Sequence, residues 1–324
     1  MAKSVGIDIG SHACKVAVLD GGPKGAKLLR FAEEEYDLGE IGAVTPAIAL
    51  AALKKALQQA KAPKHMASLA LPAEHCILRE ISVPFTQDEQ IKKVAKFEFE
   101  PHLHNAAIED VVIDFIKTGP ARVGTRLLVF AAQKPVLRSR LEQLGSAGVD
   151  PLHLDVDVTA LLNVAHAAGA LVQHPNCLII DIGARTTKTL YVNGGELKVA
   201  RSIRLGASSA AKRLSSDLEG DDETAEIAML DAAGAEALAL PPEEVGTVEM
   251  VRSVAAIEKA AAKGRQDQFL TRVIRETQRT LPLLAEDETI SQVFVTGGGV
   301  RKHPNVRDQL ADRFGAPVAD LPVL

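Results

Sequence analysis

One short pattern of residues that can bind phosphate occurs twice in this chain. Each copy has an aspartate, a glycine two positions later and a lysine five positions beyond the glycine: Asp8, Gly10 and Lys15, then Asp181, Gly183 and Lys188. A glycine lets a backbone N–H approach an anion with no side chain in the way. The aspartate can hold Mg²⁺ through water, and the lysine supplies positive charge. The repeat predicts two related half-molecules with one phosphate-binding turn each.

Hydroxyl groups and a third glycine turn extend this pattern. Hydroxyl residues that can donate to phosphate follow both turns, and three glycines later separate a predicted strand from a predicted helix: Ser11, Thr186 and Thr187, and Gly297, Gly298 and Gly299. Taken singly, an Asp-x-Gly turn is common in hairpins, three glycines also suit a plain loop, and Lys188 also suits an exposed strand. Together, the three turns favour a nucleotide held by its phosphates and its adenosine.

The elements that must position the first turn are read from the hydrophobic pattern. Paired strands are predicted over about 5–9 and 13–19, with a third near 26–32. A helix over about 45–61 begins at a threonine cap followed by proline. Residues 69–72 are predicted as a short buried strand at the edge of a parallel sheet.

Residues 77–150 have the pattern of an inserted module. The predicted elements are a strand, a helix opened by a Thr-x-x-Glu capping box, two strands, and a helix closed by glycine: 77–83, 86–99, 110–116, 126–132 and 134–145. The pattern of the second half predicts a helix, a three-strand meander, a long helical region, a strand and a final helix. Their ranges are 157–169, 177–181, 187–192, 196–204, 208–285, 292–296 and 305–314.

Composition excludes several classes of protein. The chain of 324 residues is 47% hydrophobic and 24% charged, which predicts a globular protein of two or more domains. A net charge of -5 gives no general attraction to nucleic acid, and no apolar run is long enough for direct membrane insertion. Three distant cysteines predict reduced thiols, and the His-x-His pair at 102 and 104 is expected in a solvated loop rather than at a metal.

The three turns resemble the motifs of the actin-like ATPases. Residues 6–11 resemble their first phosphate motif, 180–187 their second and 295–300 their adenosine motif. The resemblance covers the whole chain. It implies an α/β fold with two ribonuclease-H-like lobes around a cleft that holds ATP and Mg²⁺.

The inserted module resembles that of the FtsA and PilM branch, and the segments 97–114 and 128–157 resemble the PilM family of type IV pilus assembly proteins. The membrane-binding tail helix of FtsA has no counterpart before residue 324. The resemblance implies three parts. They are a first lobe at 1–76 and 151–172, the module at 77–150, and a second lobe at 173–324 with a helical subdomain over about 207–285.

The same resemblance assigns further site residues. Gly206 stands in the turn after the meander, and Glu226 stands where the family contacts the ribose, although a solvated helix glutamate has the same pattern. Met229 replaces a family lysine, and an uncharged thioether cannot replace an ammonium donor. Asp157 stands where related proteins position the attacking water, but it also suits a helix N-cap. Turnover of ATP is therefore expected to be slow at most.

The expected function is a cytoplasmic ATP-binding scaffold, peripheral to the inner membrane through its partners. By resemblance it binds the N-terminal cytoplasmic peptide of a PilN-like inner-membrane protein in a groove beside the inserted module. Apolar residues of that module are the candidates to line the groove, and each also suits a core: Ile81, Val83, Phe85 and Leu128. The alternatives are a kinase or phosphatase of the same fold, or a GspL-like type II secretion component. A pilus motor ATPase as further partner, a homodimer and ATP hydrolysis stay open.

Overall fold

The computed structural model describes residues 3–22, 25–38, 43–103, 106–208, 263–264, 266–279, 281 and 289–323. By spatial proximity the chain divides into two compact units. The first comprises Met1–Pro175, Val192–Ala200 and Pro322–Leu324, and the second comprises Asn176–Tyr191 and Arg201–Leu321. The three-part division implied by the family resemblance stays a prediction.

The first sheet carries the first glycine turn. Its strands are β1 (Lys3–Ile9), β2 (Ala13–Gly22), β3 (Gly25–Glu35), β4 (Ala67–Leu71) and β8 (Pro151–Val156), in the order β3-β2-β1-β4-β8. The first three form an antiparallel meander, while β4 runs parallel to both β1 and β8. The expected edge position of β4 is therefore wrong, because β8, which the sequence pattern did not predict, pairs with its other side.

Helix α1 (Pro46–Gln59) covers one face of this sheet. Thr45 caps it as predicted: its Oγ1 accepts a hydrogen bond from the Ile48 N–H at 3.3 Å. The helix buries its apolar side against alternate residues of the strands, and the resulting core includes Val5, Ile7, Val16, Leu53 and Leu69. Burial of these side chains is the main term that holds α1 on the sheet.

The inserted segment forms a separate three-stranded sheet. Its elements are β5 (Cys76–Val83), α2 (Asp88–Phe99), β6 (Val111–Pro120), β7 (Thr125–Gln133) and α3 (Lys134–Ser146). The order β5-β7-β6 is antiparallel throughout, with β7 in the centre. The predicted element order is confirmed.

Two details at the helix ends of this segment differ from prediction. Helix α2 begins at Asp88 after Gln87, so Thr86 does not form the predicted capping box. Helix α3 continues past Gly145, and the left-handed residue that closes it is Gly148, with φ +76°. The Val149 N–H donates to the Leu144 carbonyl and closes the last turn, so the closing glycine lies three residues later than predicted and the helix itself ends one residue later, at Ser146.

The second sheet repeats the order of the first. Helices α4 (Asp157–Ala167) and α5 (Ala170–Gln173) lead to β9 (Cys177–Ile182), β10 (Thr187–Asn193) and β11 (Glu196–Ile203). After the helix α6 at 266–278 follow β12 (Gln292–Thr296), α7 (Gly298–Lys302), α8 (Val306–Phe314) and β13 (Val318–Asp320). The order is β11-β10-β9-β12-β13, and β12 runs parallel to β9 and β13. Each sheet thus places a meander beside two parallel strands.

Three further expectations concern the chain as a whole. All three cysteines are free thiols, as predicted, and burial raises the pKa of Cys14 and Cys76 to about 12 and of Cys177 to about 11. Among the helices that the structure describes, none has the length and apolar character needed to cross a bilayer. Most of the predicted helical subdomain at 207–285, including Glu226 and Met229, lies outside the described residues, as does His104.

Candidate functional site

The first turn joins β1 to β2 and is closed by one backbone hydrogen bond. The Gly10 N–H donates to the Ala13 carbonyl at 3.1 Å, and a Cβ on Gly10 would lie 3.1 Å from the same oxygen. The buried Tyr36 holds the turn from behind, because its hydroxyl donates to the Gly10 carbonyl at 2.9 Å. Glycine is therefore needed here for close packing inside the turn.

The second turn has the same construction. The Gly183 N–H donates to the Thr186 carbonyl at 3.0 Å, and a Cβ on Gly183 would lie 2.9 Å from that oxygen. Since Gly183 and Thr186 occupy the places of Gly10 and Ala13 in the repeat, the sequence repeat is also a repeat of backbone geometry.

Each turn presents backbone donors at its tip. In the described part of the chain, the amides of Ser11 and His12 donate no hydrogen bond, and neither do the equivalent amides of Ala184 and Arg185. All four residues are half-buried or exposed, so these N–H groups can reach an incoming anion. Arg185 also brings a guanidinium to the second tip, which the sequence reasoning did not single out although it lies inside the repeated motif.

The aspartate of each turn pairs with the lysine of the next strand. Asp8 lies opposite Lys15 in the β1–β2 register, with 3.9 Å between Oδ2 and Nζ, and Lys15 also lies 3.7 Å from Glu33. In the second turn the Lys188 Nζ donates to Asp181 Oδ2 at 2.7 Å. Both lysines are therefore beside the turns as predicted, but each is held by a carboxylate.

The hydroxyl residues after the second turn face inward. Thr187 is fully buried, and its Oγ1 donates to the Leu205 carbonyl at 2.6 Å. The predicted role of its hydroxyl as a phosphate donor is therefore wrong; it ties β10 to the end of β11. Thr186 is 8% exposed and contributes its carbonyl to the turn, whereas Ser11 is half-buried at the first tip.

A segment after β11 packs directly on the second turn. A Cβ on Gly206 would lie 2.3 Å from the Ala184 carbonyl oxygen, which leaves room only for hydrogen. The next two residues extend the contact: the Ala207 N–H donates to the Gly183 carbonyl and the Ser208 N–H to the Ala184 carbonyl, both at 2.9 Å. The Gly206 turn thus braces the second phosphate turn through its backbone.

The third glycine turn also packs on β9. Thr296 pairs with Asp181 in the β9–β12 register, and Gly297 follows with φ +95°. A Cβ on Gly297 would lie 2.4 Å from Asp181 Oδ1, and one on Gly299 would lie 2.4 Å from the Ile182 side chain. By contrast, a Cβ on Gly298 would meet nothing within 4 Å. Two segments that are distant in sequence therefore converge on the second turn, with glycines at the closest approaches.

Asp157 does not cap a helix, and its side chain has a long-range hydrogen-bond partner. Val156 is the N-cap of α4, and Asp157 is the first helical residue, so the N-cap interpretation is wrong. Its Oδ1 accepts a hydrogen bond at 3.0 Å from the Ala73 N–H, 84 residues away and just beyond β4. Because β1, β4 and β8 are parallel, Asp157 lies at the same carboxyl edge of the first sheet as the Gly10 turn.

Direct metal ligation by the protein alone is not supported in the described ranges, which contain no group of three or more His, Cys, Asp or Glu that could hold an ion. Asp8 and Asp181 each have a lysine neighbour instead. Within each turn taken by itself, a carboxylate of this kind suits a Mg²⁺ that keeps its own water ligands, and the metal role of Asp8 and Asp181 stays a prediction.

The four predicted groove residues are buried or packed against a core. Ile81 and Val83 are buried in the cluster beneath α2, and Phe85 packs against that cluster. Leu128 is fully buried as well. The prediction that they line an open groove is therefore wrong for Ile81, Val83 and Leu128, whereas Phe85 stays partly exposed.

Comparison with known proteins decides the family. The family model described as type IV pilus assembly protein PilM matches residues 6–236. The chain belongs to the PilM family. A solved PilM–PilN type IV pilus biogenesis complex resembles this PilM family member with a TM-score of 0.73 and 21% identity, over 97% of this chain and 87% of that one. No curated protein matches the chain by sequence.

Two more distant structures support the fold of this PilM family member. Ethanolamine utilization protein EutJ from Carboxydothermus hydrogenoformans has a TM-score of 0.52 at 13% identity, over 99% of this chain and 86% of that one. MreB 5 of Spiroplasma citri, bound to AMPPNP, has a TM-score of 0.50 at 13% identity, over 99% and 92%. The predicted actin-like ATPase fold is therefore confirmed.

Proposed function

We propose that the chain is an ATP-binding scaffold of type IV pilus assembly that takes a PilN-like inner-membrane protein as its partner. The observation that carries the nucleotide part is the convergence of the Gly206 and Gly297–Gly299 segments on the Asp181 turn. Glycines at these closest approaches let both segments pack against the carbonyl groups of the turn, while the amides of Ala184 and Arg185 donate no hydrogen bond in the described part of the chain. Such a surface suits phosphate oxygens, which need several backbone donors at short range.

The roles of the residues follow from their positions. In each lobe the tip amides donate to phosphate, and the aspartate holds the water shell of a Mg²⁺. Lys15 and Lys188 orient the aspartates, since each ammonium lies beside its carboxylate. Bound Mg²⁺ neutralises phosphate charge. Asp157 lies at the edge of the first sheet that carries the first turn, where a carboxylate can orient a water, while its bond to Ala73 fixes its position.

The partner part rests on family membership and on the solved PilM–PilN complex, which resembles this chain in fold. The buried residues Ile81, Val83 and Leu128 are excluded as pocket walls. The peptide must therefore meet exposed side chains or an open strand edge, and β5 and β6 are the two edges of the inserted sheet. A scaffold at the inner membrane through such a partner is consistent with this arrangement.

Calorimetric titration tests the nucleotide part. We expect saturable heat with ATP and Mg²⁺, and loss of that heat in Gly183→Ala, where a Cβ would lie 2.9 Å from the Thr186 carbonyl oxygen. Gly145→Ala is the matched control, because its Cβ would meet nothing within 4 Å. Circular dichroism verifies that both variants are folded. The absence of ATP binding by the unmodified chain would refute this part.

The partner part is tested with a synthetic peptide that has the N-terminal cytoplasmic sequence of a PilN-like protein. We expect saturable binding of this peptide and no binding of a scrambled one. Hydrogen exchange with and without peptide then locates the surface, and protection of β5 or β6 amides is the expected result. Equal heats from both peptides would contradict the proposal.

A further inference from the structure

A cavity of about 620 Å³ lies between the last turn of α1 and the last turn of α3. Its volume is in the range of small-molecule sites, which span roughly 300–1,000 Å³. Its lining includes three lysines, one leucine, the last residue of α3 and a glycine just after it: Lys54, Lys61, Lys64, Leu57, Ser146 and Gly148. All belong to the first compact unit. We call this cavity the lysine pocket.

The lysine pocket is separate from the phosphate turn of the same unit. Residues 61–66 lead into the amino end of β4, and residues 148–150 lead into the amino end of β8. The Gly10 turn follows the carboxyl end of β1, which is parallel to β4. The pocket and the turn therefore lie at opposite ends of one sheet, so a ligand in one does not occupy the other.

The charge of the lysine pocket is strongly one-sided. No carboxylate lines it, and none of its three ammonium groups forms an ion pair within the described part of the chain. Arg30 adds a fourth positive group nearby, since its Nη1 donates to the Lys61 carbonyl at 3.4 Å. The ends of α1 and α3 contribute about half a negative charge each. The positive charge of these basic side chains therefore exceeds the partial negative charge of the two helix ends, and the excess attracts an anion.

Backbone conformation supports a role for Lys61 in particular. Both helices end in the same motif: the Ala62 N–H donates to the Leu57 carbonyl after α1, and the Val149 N–H donates to the Leu144 carbonyl after α3. The left-handed position of this motif is Gly148 in α3 but Lys61, with φ +46°, in α1. A glycine at 61 would adopt this conformation without strain but would remove an ammonium from the pocket.

The strain at Lys61 is not isolated. Within the described residues, only Lys61 and Met66 combine a side chain with positive φ, and both bound the segment that forms one wall of the pocket. Strained non-glycine residues concentrate at ligand sites, where the gain in function offsets the cost. Lys64 lies on the same segment, and its Nζ approaches so closely that a Cβ on Gly148 would be 2.9 Å away.

From these observations we infer that the lysine pocket binds a small ligand carrying two or more phosphate groups. Three exposed lysine side chains line a cavity too small for a folded partner, and their ammonium groups can make charge-assisted hydrogen bonds to phosphate oxygens. Leu57, Ala62 and Ala147 provide apolar surface for any uncharged part of the ligand. The phosphate groups belong either to a free inorganic polyphosphate or to a nucleotide.

The test uses the full chain and calorimetric titration with pyrophosphate. We expect saturable binding that weakens with added salt, and a loss in affinity of about a hundredfold in the K54Q/K64Q variant, since each of the two lost charged hydrogen bonds contributes about tenfold. The control K93Q removes an exposed lysine of α2 outside the pocket and leaves the affinity within about twofold.

A second variant separates ligand binding from a structural role. Lys61→Gly relieves the left-handed strain and removes one ammonium, so it raises the melting temperature of the ligand-free chain while it weakens pyrophosphate binding. A lysine that serves only the helix end would not change pyrophosphate affinity. If K61G leaves the affinity unchanged, or if K54Q/K64Q does, the inference is wrong.

Further titrations identify which kind of ligand carries the phosphate groups and distinguish the lysine pocket from the ATP site. Gly183→Ala keeps pyrophosphate binding even where it loses ATP binding, because the two sites are separate. Loss of pyrophosphate binding in G183A together with retention in K54Q/K64Q would overturn the inference. Equal binding of pyrophosphate and tripolyphosphate identifies an inorganic ligand. Lysine-dependent binding of ADP that exceeds both identifies a nucleotide. No binding of any of the three overturns it.

Discussion

The ammonium of Lys188 lies 2.7 Å from the Oδ2 atom of Asp181, and these two side chains are only 12% and 14% exposed. The equivalent pair of the first turn, Lys15 and Asp8, is 3.9 Å apart with side chains 40% and 43% exposed. One sequence pattern has thus produced a partly desolvated ion pair in the second sheet and a solvent-screened pair in the first.

This difference predicts unequal effects of the same substitution. Lys188→Met leaves the Asp181 carboxylate buried without its cation, and we expect a loss of about 2–4 kcal/mol in the free energy of unfolding. Lys15→Met, at the matched exposed position, is expected to cost under about 1 kcal/mol. Urea denaturation of both variants measures the difference. Equal losses would show that burial of the ion pair does not change its contribution to the free energy of unfolding.

The third glycine turn offers a comparison between neighbours. Gly297→Ala forces a Cβ to within 2.4 Å of Asp181 Oδ1 at φ +95°, so we expect a loss of about 2–4 kcal/mol and weaker ATP binding. Gly298→Ala meets open space, and its stability is expected to change by less than about 0.5 kcal/mol. Thermal melts with and without ATP check both expectations. An equally damaged Gly298→Ala variant would refute the packing argument.

Asp157 is expected to contribute to stability through the Ala73 N–H. Asp157→Ala removes the acceptor and leaves that amide without this partner, which predicts a loss of about 1–2 kcal/mol. Asp157→Asn keeps an acceptor oxygen at the same distance and is expected to lose less than half as much. Denaturation midpoints distinguish the two. If the alanine variant is as stable as the asparagine variant, the bond to Ala73 has no net value.

His303 predicts a loss of stability in acid. Burial, reinforced by the nearby charge of Lys302, lowers the pKa of His303 from 6.5 to about 4. The unfolded chain therefore binds a proton between pH 6.5 and pH 4 that the folded chain does not. The free energy of unfolding falls by about 3 kcal/mol across this window from this group alone.

The control for this prediction is His303→Phe. The ring of His303 stacks on Phe269 at 4.7 Å, and neither ring nitrogen has a hydrogen-bond partner among the described residues. The phenyl ring keeps the stacking and removes both unsatisfied atoms, so the variant is expected to be at least as stable at pH 7. Stability measured against pH should decline less steeply for the variant. Parallel curves would contradict the assignment to His303.

Local features of the site could be predicted from the sequence, and long-range ones could not. The Asp-x-Gly turns are defined by residues within a few positions, so their strand–turn–strand geometry follows from the pattern itself. The bond from Tyr36 to the Gly10 carbonyl spans 26 residues, and that from Asp157 to Ala73 spans 84. No local pattern encodes such pairs, since the tertiary fold alone brings them together.

In two other places the sequence could not show which side chains are buried, and there strand β8 was missed and a groove was wrongly predicted. Strand β8 begins with proline and keeps three of its six residues exposed, so it lacks the alternation by which strands are detected. Ile81 and Val83 have the apolar character of a groove wall and equally of a core, and only the position of α2 above them decides between the two. Apolar residue type alone does not distinguish an inner surface from an outer one.

Helix α3 has a consequence for engineering the inserted module. β4 and β8 are adjacent and parallel, so the chain must return along the whole length of the sheet between them. At 13 residues, α3 spans about 20 Å, enough for this return, and its end at Leu144, Ala147 and Val149 lies in the core of the first sheet. A deletion that stops before α3 would leave an ordinary strand–helix–strand crossover. A deletion that includes α3 would expose that core and strand β8. When modules are exchanged between relatives, the junction should therefore lie just before α3.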